Sequence, residues 1–256
     1  MKQVKDFIII DNCKIGEAYC KMRLAPADGS ILPGMLPGQF VEVAVETPGV
    51  LLRRPISIND VDRQANILTL LVRNAGRGTS ALIDMKAGER LNLLLPLGNG
   101  FSTEAPAGAR LILIGGGVGV APLLYLGKVL KGKGFEPEFL LGARTVGDLL
   151  SLDDFKAVGK VHVCTEDGSE GVKGFVTAHP CLSEKATRYY CCGPAPMMKA
   201  VAKVARQNGV DCEVSLENMM ACGLGACLCC VEKTVKGNVC VCTEGPVFNI
   251  NELTWE

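Results

Sequence analysis

The sequence carries no excess charge of either sign: 27 Lys and Arg balance 27 Asp and Glu. Without a basic stripe it lacks the electrostatic footprint of a nucleic-acid or anionic-membrane binder. Long hydrophobic runs are missing too. The longest uncharged stretch, between Arg110 and Lys128, is broken by several glycines and Pro122. It falls short of the roughly 20 apolar residues of a spanning helix. The run Phe7-Ile8-Ile9-Ile10 stops at Asp11, too soon for the core of a secretory leader. The expectation is a cytoplasmic chain that meets neither membrane nor nucleic acid. Histidine is scarce, with two copies. His162 alternates with apolar neighbours and His179 precedes a proline, so both read as structural.

What is present argues for a folded chain of about two domains. Hydrophobic residues make up 48% and charged residues 21%, which excludes disorder. Over residues 1–100, short aliphatic stretches at 7–10, 40–45, 67–72 and 91–95 are separated by turns such as Pro33-Gly34, Pro37-Gly38 and Pro48-Gly49. This pattern predicts a small antiparallel β-barrel. Over 101–210 the rhythm changes, with strands expected at 111–114, 139–141, 161–164 and 188–192 and helices at 121–130 and 197–207. Alternating strands and helices imply crossover units and a parallel sheet. Residues 211–256 are too few for an ordinary core, and a metal centre would supply the missing stability.

The cysteines support that last expectation. In a reducing compartment an odd number, 13, reads as ligands or core thiols rather than disulfides. Cys13, Cys20, Cys164 and Cys181 are scattered and Cys191 adjoins Cys192, but six others crowd between Cys222 and Cys242. Cys222, Cys227 and Cys230 form C-x4-C-x2-C, which with a distant fourth cysteine is the plant-type [2Fe–2S] spacing. Gly223 and Gly225 leave room for backbone N–H groups to point at sulfur. The x2 spacing is expected to bring Cys227 and Cys230 to one iron. Zinc, the alternative, more often uses paired C-x2-C units, and here only one such pair occurs. Spacing does not choose between Cys240 and Cys242.

Two loop types suggest nucleotides. Gly115, Gly116, Gly117 and Gly119 join an expected strand to an expected helix, where a pyrophosphate could meet the positive end of the helix dipole. The alternative is a tight structural turn, because the spacing is not G-x-G-x-x-G. The second strand ends in Gly142-Ala143-Arg144 without an acidic residue, which leaves NAD versus NADP open. Leu52-Arg53-Arg54-Pro55-Ile56-Ser57 places two guanidiniums beside a rigid turn, a pair suited either to a diphosphate or to plain solvent. Gly76-Arg-Gly78-Thr79-Ser80 is a candidate phosphate nest or an ordinary loop.

Taken in order, Pro37-Gly-Gln-Phe40, Leu52-Arg-Arg-Pro-Ile-Ser-Ile58, Gly78-Thr79, Pro96-Leu-Gly-Asn-Gly-Phe101, the glycine loop, Asp167-Gly-Ser169, Gly174-Phe-Val-Thr177, Cys192-Gly-Pro194 and the segment from Cys222 to Phe248 resemble one family. It is that of the electron-transfer subunits of dihydroorotate dehydrogenase B, which are ferredoxin reductase-like flavoproteins. The resemblance implies an FAD-binding barrel, a doubly wound parallel-sheet nucleotide domain and a small C-terminal [2Fe–2S] domain. It implies FAD contacts at Arg54, Pro55, Ile56, Ser57, Leu71, Val72, Arg73, Gly78 and Thr79, with Ser57 orienting hydride transfer. It places Gly115, Gly116, Gly117, Gly119, Cys192, Gly193 and Pro194 beside NAD(H), and Cys222, Cys227, Cys230 and Cys242 on the cluster. Cys229 and Cys240 would be spectators. The implied partner is an FMN-containing catalytic subunit in a heterotetramer of two copies of each chain, oxidising dihydroorotate in pyrimidine biosynthesis. Departures from the pattern fall at Ala121-Pro122, Ala178-His179-Pro180 and Asn218-Met219. The rival readings are a subunit of a ferredoxin:NADP oxidoreductase or hydrogenase complex, and a zinc-stapled redox sensor without turnover.

Overall fold

The computed structural model describes residues 1–16 and 18–255. Six strands close an antiparallel barrel: β1 (Gln3–Ile15), β2 (Tyr19–Pro26), β3 (Phe40–Val43), β4 (Arg54–Asp62), β5 (Ile67–Arg73) and β6 (Arg90–Leu97), in the order β1-β2-β5-β4-β3-β6. Inward positions follow the strand period of two. Phe7 and Ile9 on β1, Cys20, Met22 and Leu24 on β2, and Leu68, Leu70 and Val72 on β5 share one buried cluster. Residues 52–57 lead into β4 rather than forming a free loop. The expected phosphate nest opens a helix, α1 (Arg77–Asp84), whose Thr79 hydroxyl accepts the N–H groups of Ala75 (2.8 Å) and Gly76 (3.1 Å).

The second half builds one sheet from β7 (Leu111–Gly116), β8 (Glu138–Ala143), β9 (Lys160–Thr165), β10 (Val172–Lys173), β11 (Arg188–Cys192) and β12 (Asp211–Ser215). Helices α2 (Ala121–Gly132), α3 (Leu152–Val158) and α4 (Ala195–Asn208) lie between these strands in the chain. A hairpin, β13 (Val231–Thr234) and β14 (Gly237–Cys240), and a short helix, α5 (Val241–Glu244), follow. Then β15 (Val247–Asn249) returns to the sheet. The order is β10-β9-β8-β7-β11-β12-β15, parallel throughout except that β15 runs antiparallel to β12. All four residues at 111–114 are 0% exposed. A strand buried on both faces reads as an unbroken apolar run, which is why β7 is legible in the sequence.

Strand order reverses beside β7, with β8 and β9 to one side and β11 and β12 to the other. Such sheets bind ligands outside the carboxyl ends of the strands at this switch point. The residues after 210 do not stand apart from the sheet. Cys212 and Val214 are fully buried in β12, and β15 pairs with it through Ser215↔Val247 and Val214↔Phe248.

The histidines meet near the start of β8 and β9. Arg110 donates to Glu138 at 2.6 Å and holds that carboxyl down to about 2. The ionised Glu138 accepts from His162 Nε2 at 2.8 Å, while His179 Nδ1 accepts the Cys181 N–H at 3.1 Å. Among the described residues no helix is long and apolar enough to cross a membrane.

Barrel and sheet are joined through α2. Tyr125 donates its hydroxyl to the Met35 carbonyl at 3.1 Å, and Asn59 Nδ2 donates to the Ala121 carbonyl at 2.9 Å. Replacing Tyr125 by Phe strands a buried carbonyl, a loss of about 1 kcal/mol. The thermal midpoint of the cofactor-loaded protein is expected to fall by about 2–4 °C at a fixed scan rate. An unchanged midpoint would show that this hydroxyl carries no part of the joint.

Candidate functional site

A cleft of about 320 Å³ opens between the barrel and the sheet. Pro55, Ile56 and Ser57 line it from β4, and Leu71 and Arg73 from β5. Val72 lies between the last two, and the strand alternation turns its side chain into the barrel core, where it is 0% exposed. The structure separates the two arginines of the 52–57 segment. Arg53 is spent on strand pairing, donating to the carbonyls of Glu42 (3.2 Å) and Asn92 (3.1 Å). Arg54 lies across the start of α1, where a Cβ on Gly78 would come within 2.5 Å of its Nε. The helix N-terminus and a guanidinium thus face the same place, an arrangement suited to a diphosphate.

The far wall of the cleft was not legible in the motifs. It is formed by Ser215, Leu216, Glu217, Asn218, Met219 and Met220, which run directly into Cys222. Burial raises the Glu217 carboxyl above its ordinary value, and the Cys192 thiol donates to it at 3.9 Å. An acidic residue two positions after a strand of the parallel sheet was the available signal.

A second cavity, of about 550 Å³, lies at the carboxyl ends of the parallel strands. Gly116, Gly117 and Pro194 line it. Gly119 serves it from behind: a Cβ there would stand 2.5 Å from the Gly193 Cα and 2.6 Å from the Cys192 carbonyl. The loops after β7 and β11 therefore touch backbone to backbone. Gly115 packs instead against Val120 and Leu123. Arg73 lines both cavities, so the two adjoin.

The cysteine segment forms its own loop. Gly223 and Gly225 take positive φ values of 66° and 81°. The Leu224 N–H donates to Cys222 Sγ at 3.3 Å and the Gly225 N–H to Cys242 Sγ at 3.1 Å. Cys242 in turn donates its N–H to Cys230 Sγ at 3.4 Å. The backbone N–H groups of Leu224 and Cys227 hold the Cys222 thiol down to about 6, whereas burial pushes Cys242 up to about 12. Cys222 neighbours Cys227, and Cys242 neighbours Cys230. Cys240 also neighbours Cys230, so the thiols of the loop and of the segment before α5 converge on one region. Between Cys227 and Cys230, Leu228 adopts φ 59°, leaving Cys227 exposed and Cys230 buried. Among the described residues no three of these sulfurs gather within 4.8 Å. Backbone N–H groups aimed at three of these sulfurs, with the C-x4-C-x2-C spacing, suit an iron–sulfur cluster. Cys240 points its thiol at the Gly225 carbonyl, 3.8 Å away, and Cys229 is exposed.

Two outcomes are expected. Cys242→Ser loses the cluster while Cys240→Ser keeps it, read as iron per chain after anaerobic isolation; the reverse would overturn the ligand choice. Gly119→Ala forces the two nucleotide loops apart. NADH-driven dye reduction should fall by about tenfold or more with iron and flavin contents unchanged.

Comparison with known proteins agrees with this geometry. Residues 217–254 match the family described as the iron-sulfur cluster binding domain of dihydroorotate dehydrogenase B, and residues 113–203 match the oxidoreductase NAD-binding domain. The chain is 42% identical over 229 residues to the dihydroorotate dehydrogenase B (NAD(+)) electron transfer subunit of Lysinibacillus sphaericus, covering 86% of this chain and 88% of that protein. The subunit of the same name from Fusobacterium nucleatum is 35% identical, with 99% and 100% covered. A solved NADH-dependent reduced ferredoxin-NADP oxidoreductase chain superposes with TM-score 0.86 at 30% identity, over 97% of this chain and 90% of that one. The FAD/NAD-binding domain of a Vibrio cholerae nitric oxide dioxygenase shares the fold, with TM-score 0.69 at 20% identity over 82% and 98%. By sequence along nearly its whole length, the chain belongs to the family of dihydroorotate dehydrogenase B electron-transfer subunits.

Proposed function

We propose that this chain carries electrons between dihydroorotate oxidation on a partner subunit and NAD⁺, using FAD and a [2Fe–2S] cluster. The observation that carries the reading is continuity. The nucleotide cavity adjoins the barrel cleft at Arg73, and the wall of that cleft continues from Met220 into Cys222. A flavin, when bound, can exchange a hydride with a nicotinamide and single electrons with an iron–sulfur centre, and the cleft lies between the two other sites.

The residues divide the work. Arg54, Gly78 and Thr79 at the start of α1 would hold the diphosphate. Pro55, Ile56, Ser57, Leu71 and Arg73 would bound the ring, with Val72 contributing backbone alone. Ser57 would orient the acceptor atom. Gly115, Gly116, Gly117, Gly119, Cys192, Gly193 and Pro194 would shape the nicotinamide side. Glu217, which accepts from the Cys192 thiol, keeps a carboxyl on the wall of the cleft. Cys222, Cys227, Cys230 and Cys242 would hold the cluster. The functional division is a flavin barrel to about residue 100, a nucleotide region over 101–210 and a cluster region from 211, the last borrowing two strands of the sheet.

The partner would be an FMN-bearing chain in a cytoplasmic assembly of two copies of each subunit. The curated relatives at 35–42% identity favour dihydroorotate chemistry over the ferredoxin:NADP alternative, whose solved representative is 30% identical. The test mixes the loaded chain with a dihydroorotate-oxidising FMN subunit under anaerobic conditions. Dihydroorotate is expected to bleach the FAD and reduce the cluster in the mixture and not with this chain alone. Bleaching by this chain alone would place the dihydroorotate site here and overturn the division of labour.

A further inference from the structure

The nucleotide cavity has two ends. One, at Arg73 and Gly116, adjoins the flavin cleft, and the other is walled by Arg144, Asp148, Glu166 and Phe175. A dinucleotide with its nicotinamide at the first end must place its adenosine at the second. The second strand, β8, closes without the carboxylate that would grip an adenosine ribose. The structure supplies one from the next strand. Glu166 follows β9, and its N–H donates to the Ala143 carbonyl at 3.1 Å, which sets it beside the end of β8.

The loop carrying Glu166 is pinned on every side. Thr165 Oγ1 donates to the Glu170 carbonyl at 2.8 Å and accepts the Glu170 N–H at 3.0 Å. Asp167 accepts from the Ser169 N–H at 2.9 Å and from its hydroxyl at 2.7 Å, and Ser169 Oγ accepts the Val146 N–H at 2.8 Å. The Asp167-Gly-Ser169 motif thus fixes the backbone while the Glu166 side chain stays exposed toward the cavity. Asp148 is committed differently. Its Oδ2 accepts the N–H of Thr145 at 3.2 Å and its hydroxyl at 3.0 Å, so it adds a fixed negative charge. Two carboxylates therefore share this wall with one guanidinium. A ribose hydroxyl can donate to a free carboxylate; a phosphate at the same carbon is repelled by it.

We propose that Glu166 is the residue by which this chain selects NAD(H) over NADP(H), with Phe175 as the platform for adenine. Phe175 is 68% exposed on the same wall, and an aromatic face in that position stacks any adenine equally. The inference rests on the NAD-linked reading above. It assigns Arg144 no part in discrimination, since two carboxylates line the same wall as its exposed side chain.

The test titrates the flavin- and iron-loaded protein with ADP-ribose and with 2′-phospho-ADP-ribose by calorimetry, which reads the adenosine end without turnover. The natural chain is expected to prefer ADP-ribose. Glu166→Gln should shrink that preference by about tenfold or more, roughly the effect of 1.4 kcal/mol, while Glu166→Asp retains most of it. Phe175→Ala should weaken both ligands by a similar factor and leave their ratio unchanged. An unchanged ratio in Glu166→Gln, or a ratio that moves with Arg144→Ala instead, overturns the assignment while the NAD-linked reading stands. Binding of neither ligand to the natural chain would sink that reading, and the assignment with it.

Discussion

The antiparallel pairing of β15 with β12 governs the arrangement of the redox sites. The chain leaves the sheet at Ser215 and re-enters it at Val247, and these two residues stand opposite each other in the ladder. Everything between them, including all the cluster cysteines, is an excursion whose two ends are hydrogen-bonded together. A flexible appendage of this length would carry its thiols over a wide volume. Here the exit strand is also the wall of the flavin cleft, so the distance from cleft to cluster is set by a few residues of backbone. Asn99 adds a clamp from the barrel side, donating through Nδ2 to the carbonyls of Thr243 (3.1 Å) and Glu244 (2.8 Å). The Pro96-Leu-Gly-Asn-Gly-Phe101 motif thus has a structural meaning, because it is where the barrel grips the cluster segment.

Much of the fold was legible because its strands obey simple burial patterns. β7 is buried on both faces and reads as an unbroken apolar run, while β5 and β6 are rich in aliphatic residues that any window detects. β2 was missed although Cys20, Met22 and Leu24 alternate with Lys21 and Arg23, a half-buried pattern weakened by its mixed residue types. β4 was hidden for another reason. Its first residues line the cleft, and Arg-Arg-Pro suggests a loop. The structure resolves this by giving the two arginines different places, Arg53 within the barrel wall and Arg54 across the start of α1.

The site divides along the same line. The cysteine spacing and the glycine loop are local signals, and residues close in sequence carry them. Glu217 and Glu166 could not be found that way. Each becomes informative only when two strands distant in sequence are laid side by side: β12 against β11 for Glu217, and β9 against β8 for Glu166. Spacing motifs record chemistry within one loop. Contacts made across a parallel sheet leave no fixed interval to read.

The contact between Gly119 and the backbone of Cys192 and Gly193 has a mechanical consequence. With no side chain between them, the two loops form one floor that cannot bend in the middle. A dinucleotide that settles on it must be accommodated at the rim, where Phe175 and Arg144 are exposed. The fold thus assigns stiffness to the end where a hydride must travel a fixed distance and compliance to the end where only adenosine is held.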